Sequence, residues 1–172
     1  MIATDTDVFV CFNAREVELV NASSVRARIL DTRLGPDLAH ADVDTGYAVG
    51  RARALLDRDT ILADVLLDQR VACGIGNVYK SEILFIRRHL PQTLLAEVDD
   101  GELETCYATA ADLLRRNLGG GRRVTRFEAD GAGRLWVYAR RGLRCLRCES
   151  RILTSRLGRH HRSTYWCASC QS

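Results

Sequence analysis

Four cysteines near the end of the chain constrain its fold more than any other feature. They form two C-x-x-C pairs, Cys145 with Cys148 and Cys167 with Cys170, and 18 residues separate the pairs. This spacing is typical of a structural zinc site with four thiolate ligands. A disulfide framework is typical of secreted proteins, and a redox pair needs one C-x-x-C at a helix start in a βαβ unit. The sequence indicates neither context, so we predict structural Zn²⁺ at these cysteines.

The remaining cysteines and two histidines are weaker candidates. Cys11, Cys73 and Cys106 are isolated in the sequence, and isolated cysteines are usually packed thiols. His160 and His161 lie between the two pairs and compete in principle as metal ligands. Because four thiolates already complete a tetrahedron, we interpret both histidines as loop residues close to phosphate.

The segment between the cysteine pairs is long enough for a β-hairpin with its turn near "LGRHHR". Arg156, Arg159 and Arg162 then lie at or beside the tip. A hairpin fixed by a metal, with arginines at its tip, can reach into a groove or bind phosphates. For each single arginine, a solvated tip remains an equal alternative.

The distribution of charge supports a polyanionic partner. The formal net charge is +3, but residues 115–172 carry 14 arginines against 3 acidic side chains, and the only lysine of the chain is Lys80. An uncompensated positive field of this size favours polyanions, and the planar guanidinium group suits phosphate. No apolar run is long enough for a membrane span and the first ten residues do not resemble a signal peptide, so we expect a cytoplasmic protein.

A glycine turn inside a helical region is a second candidate phosphate site. The stretch "LLDQRVACGIGNVYKSEILF", residues 66–85, predicts a helix, a sharp turn at Gly74 and Gly76, and a new helix that begins at Asn77. Backbone amides at such a turn and helix N-terminus bind anions, and Asn77 adds a side-chain donor. Alone this pattern is weak evidence, since most glycine turns between helices are only turns.

Hydrophobic periodicity predicts the elements around these motifs. We expect two or three strands within residues 7–30, a linker over 31–45 and a further strand at "RLWVYARRG". The predicted helices cover Thr45–Leu56, Ile61–Gln69 behind Thr60 as N-cap, Asn77 to about His89, and a segment that starts at the Asp99–Glu102 capping box and ends at Gly119.

Two of these motifs resemble one known family. Residues 66–85 resemble the helix-two-turn-helix motif of the formamidopyrimidine-DNA glycosylase / endonuclease VIII family. The stretches "WVYARRGLRCLRC" and "RHHRSTYWCASCQ" resemble the zinc finger at the C-terminus of that family. The resemblance covers roughly residues 35–172, with most similarity to the bacterial endonuclease VIII branch, and residues 7–30 are similar to the last strands of the family's N-terminal β-sandwich.

The resemblance implies binding to double-stranded DNA with damaged or abasic sites. Family members flip out an oxidised base, cleave its glycosidic bond and nick the abasic strand in base-excision repair. It also implies that Asn77 and Arg162 hold the phosphates beside the lesion. Lys80 replaces a small or neutral residue and is a further candidate phosphate contact. The candidate DNA-binding residues are Gly74, Gly76, Asn77, Lys80, Arg159 and Arg162.

The catalytic nucleophile that the resemblance implies is not in this sequence. In the family, an N-terminal proline amine, assisted by a glutamate and a lysine, forms a Schiff base with the sugar. This chain begins Met1-Ile2-Ala3, and its two prolines, Pro36 and Pro91, are internal and cannot serve as amine nucleophiles. We therefore expect no catalytic residues in this chain and a missing catalytic segment. We interpret Glu82 as a structural helix residue.

Together these patterns and the family resemblance predict an α+β protein with three parts. They are a partial β-sandwich at 1–34, an all-α helix-two-turn-helix domain at 35–121, and a strand with a β-hairpin zinc finger at 122–172. The predicted function is damaged-DNA binding within a DNA glycosylase/AP lyase family. The alternatives are a non-enzymatic zinc-finger DNA-binding or lesion-sensing protein, and a zinc-ribbon module for RNA or protein, which the helix-turn motif disfavours.

Overall fold

The computed structural model of the protein describes residues 2–3, 5–6, 8–9, 21, 23–26 and 32–172. The chain divides into two compact units, Met1–Arg33 and Leu34–Ser172. In the first unit, β1 (Ile2–Ala3) pairs antiparallel with β2 (Val8–Phe9). Most of the strands predicted over 7–30 lie outside the described residues, so the partial β-sandwich stays a prediction.

The described part of this span also contains a short helical turn. Val25 and Arg26 are helical, not extended. The reason is local, because the side chain of Asn21 accepts a hydrogen bond from the backbone amide of Ser23 (3.0 Å) and its carbonyl accepts one from Ser24 (2.9 Å). Such Asn-centred turns compete with strand formation.

The second unit contains four helices and one hairpin among its described residues. The helices are α1 (Thr45–Leu55), α2 (Leu62–Val65), α3 (Asn77–Arg87) and α4 (Asp100–Arg116), with a 3₁₀ turn at Leu95–Glu97. β3 (Leu153–Leu157) and β4 (Arg162–Trp166) form the antiparallel hairpin. None of the helices in the described part of the chain has the length and apolar character to cross a bilayer.

The sequence predicts α4 well because its signals are local. Asp99 Oδ1 accepts the amide of Glu102 (2.7 Å), and Glu102 Oε2 accepts the amide of Asp99 (3.2 Å), as in a capping box. One face of α4 lies on the core: Leu103, Cys106, Tyr107, Ala110 and Leu113 are buried, and Leu114 packs against them.

Three other local predictions need correction. The helix predicted over Ile61–Gln69 has only one turn, because its end tightens into i→i+3 bonds such as that from the Leu67 amide to the Asp64 carbonyl. Its N-cap residue is Ile61, not Thr60. Within the predicted linker, residues 35–38 pair with residues 69–73, and Leu38 is fully buried. The segment "RLWVYARRG" forms no strand, for a reason given below.

Two hydrophobic cores share α3. The larger core lies among α1, α2, α3 and α4. The smaller core contains Phe85 from α3 together with Val137, Ile152 and two of the cysteines, Cys145 and Cys167. Since α3 contributes to both cores, it fixes residues 134–172, which we call the cysteine-rich segment, to the helical region. The predicted boundary at residue 121 falls within this single unit and stays a prediction.

Candidate nucleic-acid interface

The glycine turn before α3 is held in shape by one side chain. Gln69 accepts the amide of Gly74 on Oε1 (3.2 Å) and donates from Nε2 to the carbonyl of Ile75 (3.1 Å). Gly74 has φ = +107°, and a Cβ there would lie 2.8 Å from Leu114 Cδ1, so glycine is required. These contacts therefore fix the backbone conformation of the residues that lead into α3.

The N-terminus of α3 offers backbone donors to an anion. Gly76 is the N-cap residue, and no side chain caps this helix end. The first amides of a helix have no partner within the helix, and the helix dipole adds partial positive charge there. Asn77, the first helical residue, is half-buried. Its Nδ2 donates to the carbonyl of Ser163 in β4 (2.8 Å), which joins the glycine turn to the hairpin.

Lys80 lies beneath this junction and is fully buried. Its Nζ donates to Asn77 Oδ1 (2.7 Å), to Thr164 Oγ1 (2.7 Å) and, at 3.4 Å, to the carbonyl of Ser163. Burial lowers the pKa of Lys80 to about 8; the carboxylate of Asp64 opposes this shift and the guanidinium group of Arg162 adds to it. The ammonium group thus contacts protein atoms, whereas the sequence suggested a residue that reaches a phosphate.

The hairpin turn lies where the sequence predicts it. Residues 158–161 connect β3 to β4, and Arg162 pairs with Leu157 at the start of β4. The turn packs against Asp64 in α2. A Cβ on Gly158, which has φ = +70°, would lie 2.1 Å from Asp64 Oδ1, and the same carboxylate accepts the amide of Arg159 (2.9 Å).

Arg159 is bound to an acidic side chain. Its guanidinium group lies 3.2 Å from Asp68 Oδ2, and the same carboxylate binds Arg70 (2.6 Å). The hydrogen bond from Arg70, more than any other contact, holds the pKa of Asp68 below its usual value. Arg159 therefore binds the hairpin to the helical region, and Asp68 partly neutralises the charge of its guanidinium group.

A cleft of about 350 Å³ brings three of the predicted residues together. We call it the Asn77 cleft; of the described residues that line it, none is acidic. Gly76 and Asn77 come from the helix end and Arg162 from the hairpin. His160, which lies in the hairpin turn, also lines the cleft. The full lining is Leu67, Gln69, Ile75, Gly76, Asn77, His160 and Arg162.

The other predicted site residues lie around this cleft. The Gly74 amide is occupied by Gln69, and the side chain of Lys80 lies under Asn77. Arg159 lines an adjacent cleft of about 370 Å³ that also contains Asp64 and Asp68. The Asn77 cleft, by contrast, combines helix amides, the Asn77 side chain and Arg162, and such a set can bind a phosphate diester through several donors at once.

The four predicted ligand cysteines form one cluster. Their sulfur atoms all lie within 4.8 Å of one another; Cys148 Sγ is 3.4 Å from Cys167 Sγ, and Cys145 Sγ is 3.9 Å from Cys170 Sγ. These distances are those of non-bonded sulfurs and match the edges, about 3.8 Å, of a tetrahedron with metal–sulfur bonds of about 2.3 Å. The donor set can therefore hold a metal ion.

The other cysteines behave as packed thiols where the structure describes them. Cys106 is buried among the helices, and burial raises the pKa of its thiol to about 12. Cys73 is half-buried and donates from Sγ to the carbonyl of Gln69 (3.4 Å). Cys11 lies outside the described residues.

Glu82 has a larger role than sequence reasoning assigned to it. Its fully buried carboxylate accepts backbone amides from Trp136 (2.7 Å), Val137 (2.9 Å) and Tyr138 (2.8 Å), and also the hydroxyl of Thr125. These bonds occupy the amides that a strand ladder would need, so residues 134–142 are not a strand. The signal in the sequence was a carboxylate inside an otherwise apolar face of α3.

Comparisons with known proteins agree on the family. The model of the formamidopyrimidine-DNA glycosylase H2TH domain matches residues 34–128. A DNA-(apurinic or apyrimidinic site) lyase Nei2 from Mycolicibacterium smegmatis is 39% identical over 139 residues, 81% of this chain and 53% of that protein. A formamidopyrimidine-DNA glycosylase from Heliobacterium modesticaldum is 35% identical over 146 residues, 81% of this chain and 51% of that protein.

Solved structures show the same fold. MutM (Fpg) from Thermus thermophilus has a TM-score of 0.66 at 28% identity, over 87% of this chain and 57% of that chain. Lactococcus lactis Fpg in complex with abasic-site DNA has a TM-score of 0.69 at 21% identity, over 86% of this chain and 55% of that chain. This chain spans about half the length of these relatives. Because the H2TH domain model covers more than half of its residues, the chain belongs to the formamidopyrimidine-DNA glycosylase H2TH-domain family.

Proposed function

We propose that this chain binds double-stranded DNA that contains damaged or abasic sites, as the DNA-holding part of a base-excision-repair DNA glycosylase/AP lyase. The observation that carries the proposal is the Asn77 cleft, in which the amides of α3, the Asn77 side chain and Arg162 line one cavity. The named activities of the relatives, an abasic-site lyase and formamidopyrimidine-DNA glycosylases, support the substrate class. We also propose a cytoplasmic, nucleoid-associated location in a bacterium, since these relatives are bacterial and the proposed substrate is DNA.

Two phosphates flanking a lesion are the proposed ligands. In this proposal Asn77 and the N-terminus of α3 bind one phosphate, and Arg162 binds the same or the adjacent one from the hairpin. We call these protein groups, Asn77 with the N-terminus of α3 on one side and Arg162 on the other, the phosphate clamp. Such contacts determine the position of the protein on the duplex and carry no information about base sequence.

The proposed metal is structural Zn²⁺ held by Cys145, Cys148, Cys167 and Cys170. Support comes from the sulfur cluster and from its packing, since two of these cysteines lie in the smaller core with Phe85 and Ile152. Four thiolates leave no coordination position for a catalytic water, so the ion would stabilise the hairpin and take no part in bond cleavage.

Direct binding measurements test the clamp. A duplex with a tetrahydrofuran abasic analogue is titrated with Asn77→Ala, Arg162→Ala, the double variant, and Arg58→Ala, which removes an exposed arginine that does not line the cleft. We expect each clamp variant to bind about 10- to 150-fold more weakly, because a charge-assisted hydrogen bond contributes about 1.5–3 kcal/mol.

The salt dependence separates phosphate contacts from a change in fold. Arg162→Ala should reduce the slope of log K against log[salt] by about 0.9, and Asn77→Ala should leave that slope unchanged. If the double variant bound the duplex with the affinity and slope of the Arg58→Ala control, the clamp would be refuted.

A further inference from the structure

A buried lysine contacts Asn77 of the phosphate clamp and the strand that carries Arg162. Lys80 is 0% exposed, and its three hydrogen-bond acceptors, Asn77 Oδ1, Thr164 Oγ1 and the Ser163 carbonyl, are all uncharged. No carboxylate in the described part of the chain forms an ion pair with it. Because burial of an ammonium group without an ion pair is costly, its position beside the proposed anion site points to a use for the charge.

The bonds of Lys80 determine how the clamp residues are presented. An ammonium group only donates, so its contact with Asn77 Oδ1 fixes the orientation of the Asn77 amide. Nδ2 is thereby placed against Ser163, and one of its two hydrogens remains for a ligand. On the hairpin side, the Thr164 hydroxyl accepts from Lys80 and donates to the carbonyl of Arg162 (3.1 Å).

We propose that Lys80 is the positioning residue of the phosphate clamp, and that its buried charge couples binding of a DNA phosphate to proton uptake at alkaline pH. The proposal rests on the proposed function of the Asn77 cleft. Lys80 itself does not contact the phosphate. It orients Asn77, supports the backbone of Arg162, and adds positive potential below the cleft.

The direction of the pH effect follows from the charges that face Lys80. Its pKa in the free protein is about 8, lowered first by burial and further by Arg162 in β4, and raised by Asp64 at the end of α2; its other partners are neutral. A bound phosphate is a second negative charge and raises this pKa further. Above pH 8 the free protein has lost a proton that the complex retains, so binding takes up a proton and affinity falls as the pH rises.

The expected size is measurable. If a bound phosphate raises the pKa of Lys80 by about one unit, affinity at pH 9.5 is about sevenfold lower than at pH 7. Lys80→Met keeps an apolar chain of similar length without the charge. It should bind more weakly at pH 7 and lose the dependence on pH. An Arg58→Met control also removes one positive charge and should keep the wild-type pH profile.

Fluorescence anisotropy with the tetrahydrofuran duplex from pH 6.5 to 9.5 tests this inference. Calorimetry at pH 8.5 in buffers of different ionisation enthalpy should show proton uptake by the wild type and none by Lys80→Met. A Lys80→Met profile as steep as the wild-type profile would overturn the inference and leave the clamp intact. Absence of binding by the wild type at every pH would instead refute the proposed function.

A second measurement does not depend on the variant. In the free wild-type protein labelled with ¹⁵N, the side-chain amide resonances of Asn77 should titrate with a midpoint near pH 8, since Oδ1 accepts from the titrating group. Resonances that do not move between pH 7 and 9.5 would overturn the inference even if Lys80→Met failed to fold.

Discussion

Replacement of Glu82 by glutamine should destabilise the packing of the cysteine-rich segment on the helices. The carboxylate accepts three backbone amides and one hydroxyl in a fully buried site. Glutamine retains one acceptor oxygen and places an NH₂ group where the second oxygen receives the Trp136 amide and the Thr125 hydroxyl. The Trp136 amide then faces another donor and loses its partner.

The expected loss follows from these contacts. An unsatisfied buried donor costs about 1–3 kcal/mol, and the remaining bonds lose their charge assistance. We therefore expect Glu82→Gln to reduce the free energy of unfolding by about 2–4 kcal/mol, a large part of the roughly 5–15 kcal/mol that is usual for a folded domain. Volume is almost unchanged, so a cavity contributes little.

Intrinsic fluorescence provides the assay, since both tryptophans of the chain, Trp136 and Trp166, belong to the cysteine-rich segment. Urea unfolding of the zinc-loaded protein, followed by tryptophan emission, gives the stability of this segment. Glu104→Gln is the matched control, because Glu104 is exposed and its one described contact is with the Thr45 hydroxyl (3.1 Å). A Glu82→Gln loss within about 0.5 kcal/mol of the control would refute the reasoning.

Three further outcomes are expected. Cys167→Ser should lower both the zinc content, measured with a chromogenic chelator, and the affinity for the abasic-analogue duplex. The control Cys73→Ser, at a half-buried cysteine outside the cluster, should keep both. Full zinc content in Cys167→Ser would contradict the predicted ligand set. Gly74→Ala should destabilise the protein by about 1–3 kcal/mol in thermal unfolding, because φ is +107° and the new Cβ meets Leu114. The control Gly50→Ala lies in α1 with open space around it and should be neutral or stabilising by up to about 1 kcal/mol. Equal unfolding midpoints for the two variants would contradict the role of the turn. Borohydride treatment of a polypeptide of these 172 residues on abasic-site DNA should trap no covalent adduct, since the amine nucleophile that the family resemblance implies is not among them, and a trapped adduct would show that another amine serves.

Sequence reasoning was most successful where the signal is local. The capping box of α4, the glycine turn before Asn77 and the hairpin between the cysteine pairs depend on residues within a few positions of each other. The cysteine spacing was sufficient to predict a cluster that the structure shows. In each case the residue type has few alternatives, such as glycine at positive φ or thiolates paired on a tight turn.

It was least successful where a distant side chain determines a local conformation. Residues 134–138 have the composition of a strand, but Glu82, more than fifty positions earlier, binds their amides. In the sequence Lys80 is a candidate phosphate contact, but in the structure it is fully buried and donates to Thr164 of β4. Arg159 is likewise bound by Asp68, 91 residues away, which partly neutralises its charge. Periodicity and propensity carry no information about such long-range pairs.

The position of α3 in both cores has a thermodynamic consequence. One end of this helix presents Asn77 to the proposed phosphate, and the other places Phe85 against the two buried cysteines. If metal binding orders the second end and DNA binding the first, the two ligands are coupled through one rigid element. Reciprocity then requires that DNA raise the affinity for the metal by the same factor by which the metal raises the affinity for DNA. A chelator competition run with and without duplex would measure that factor from either direction.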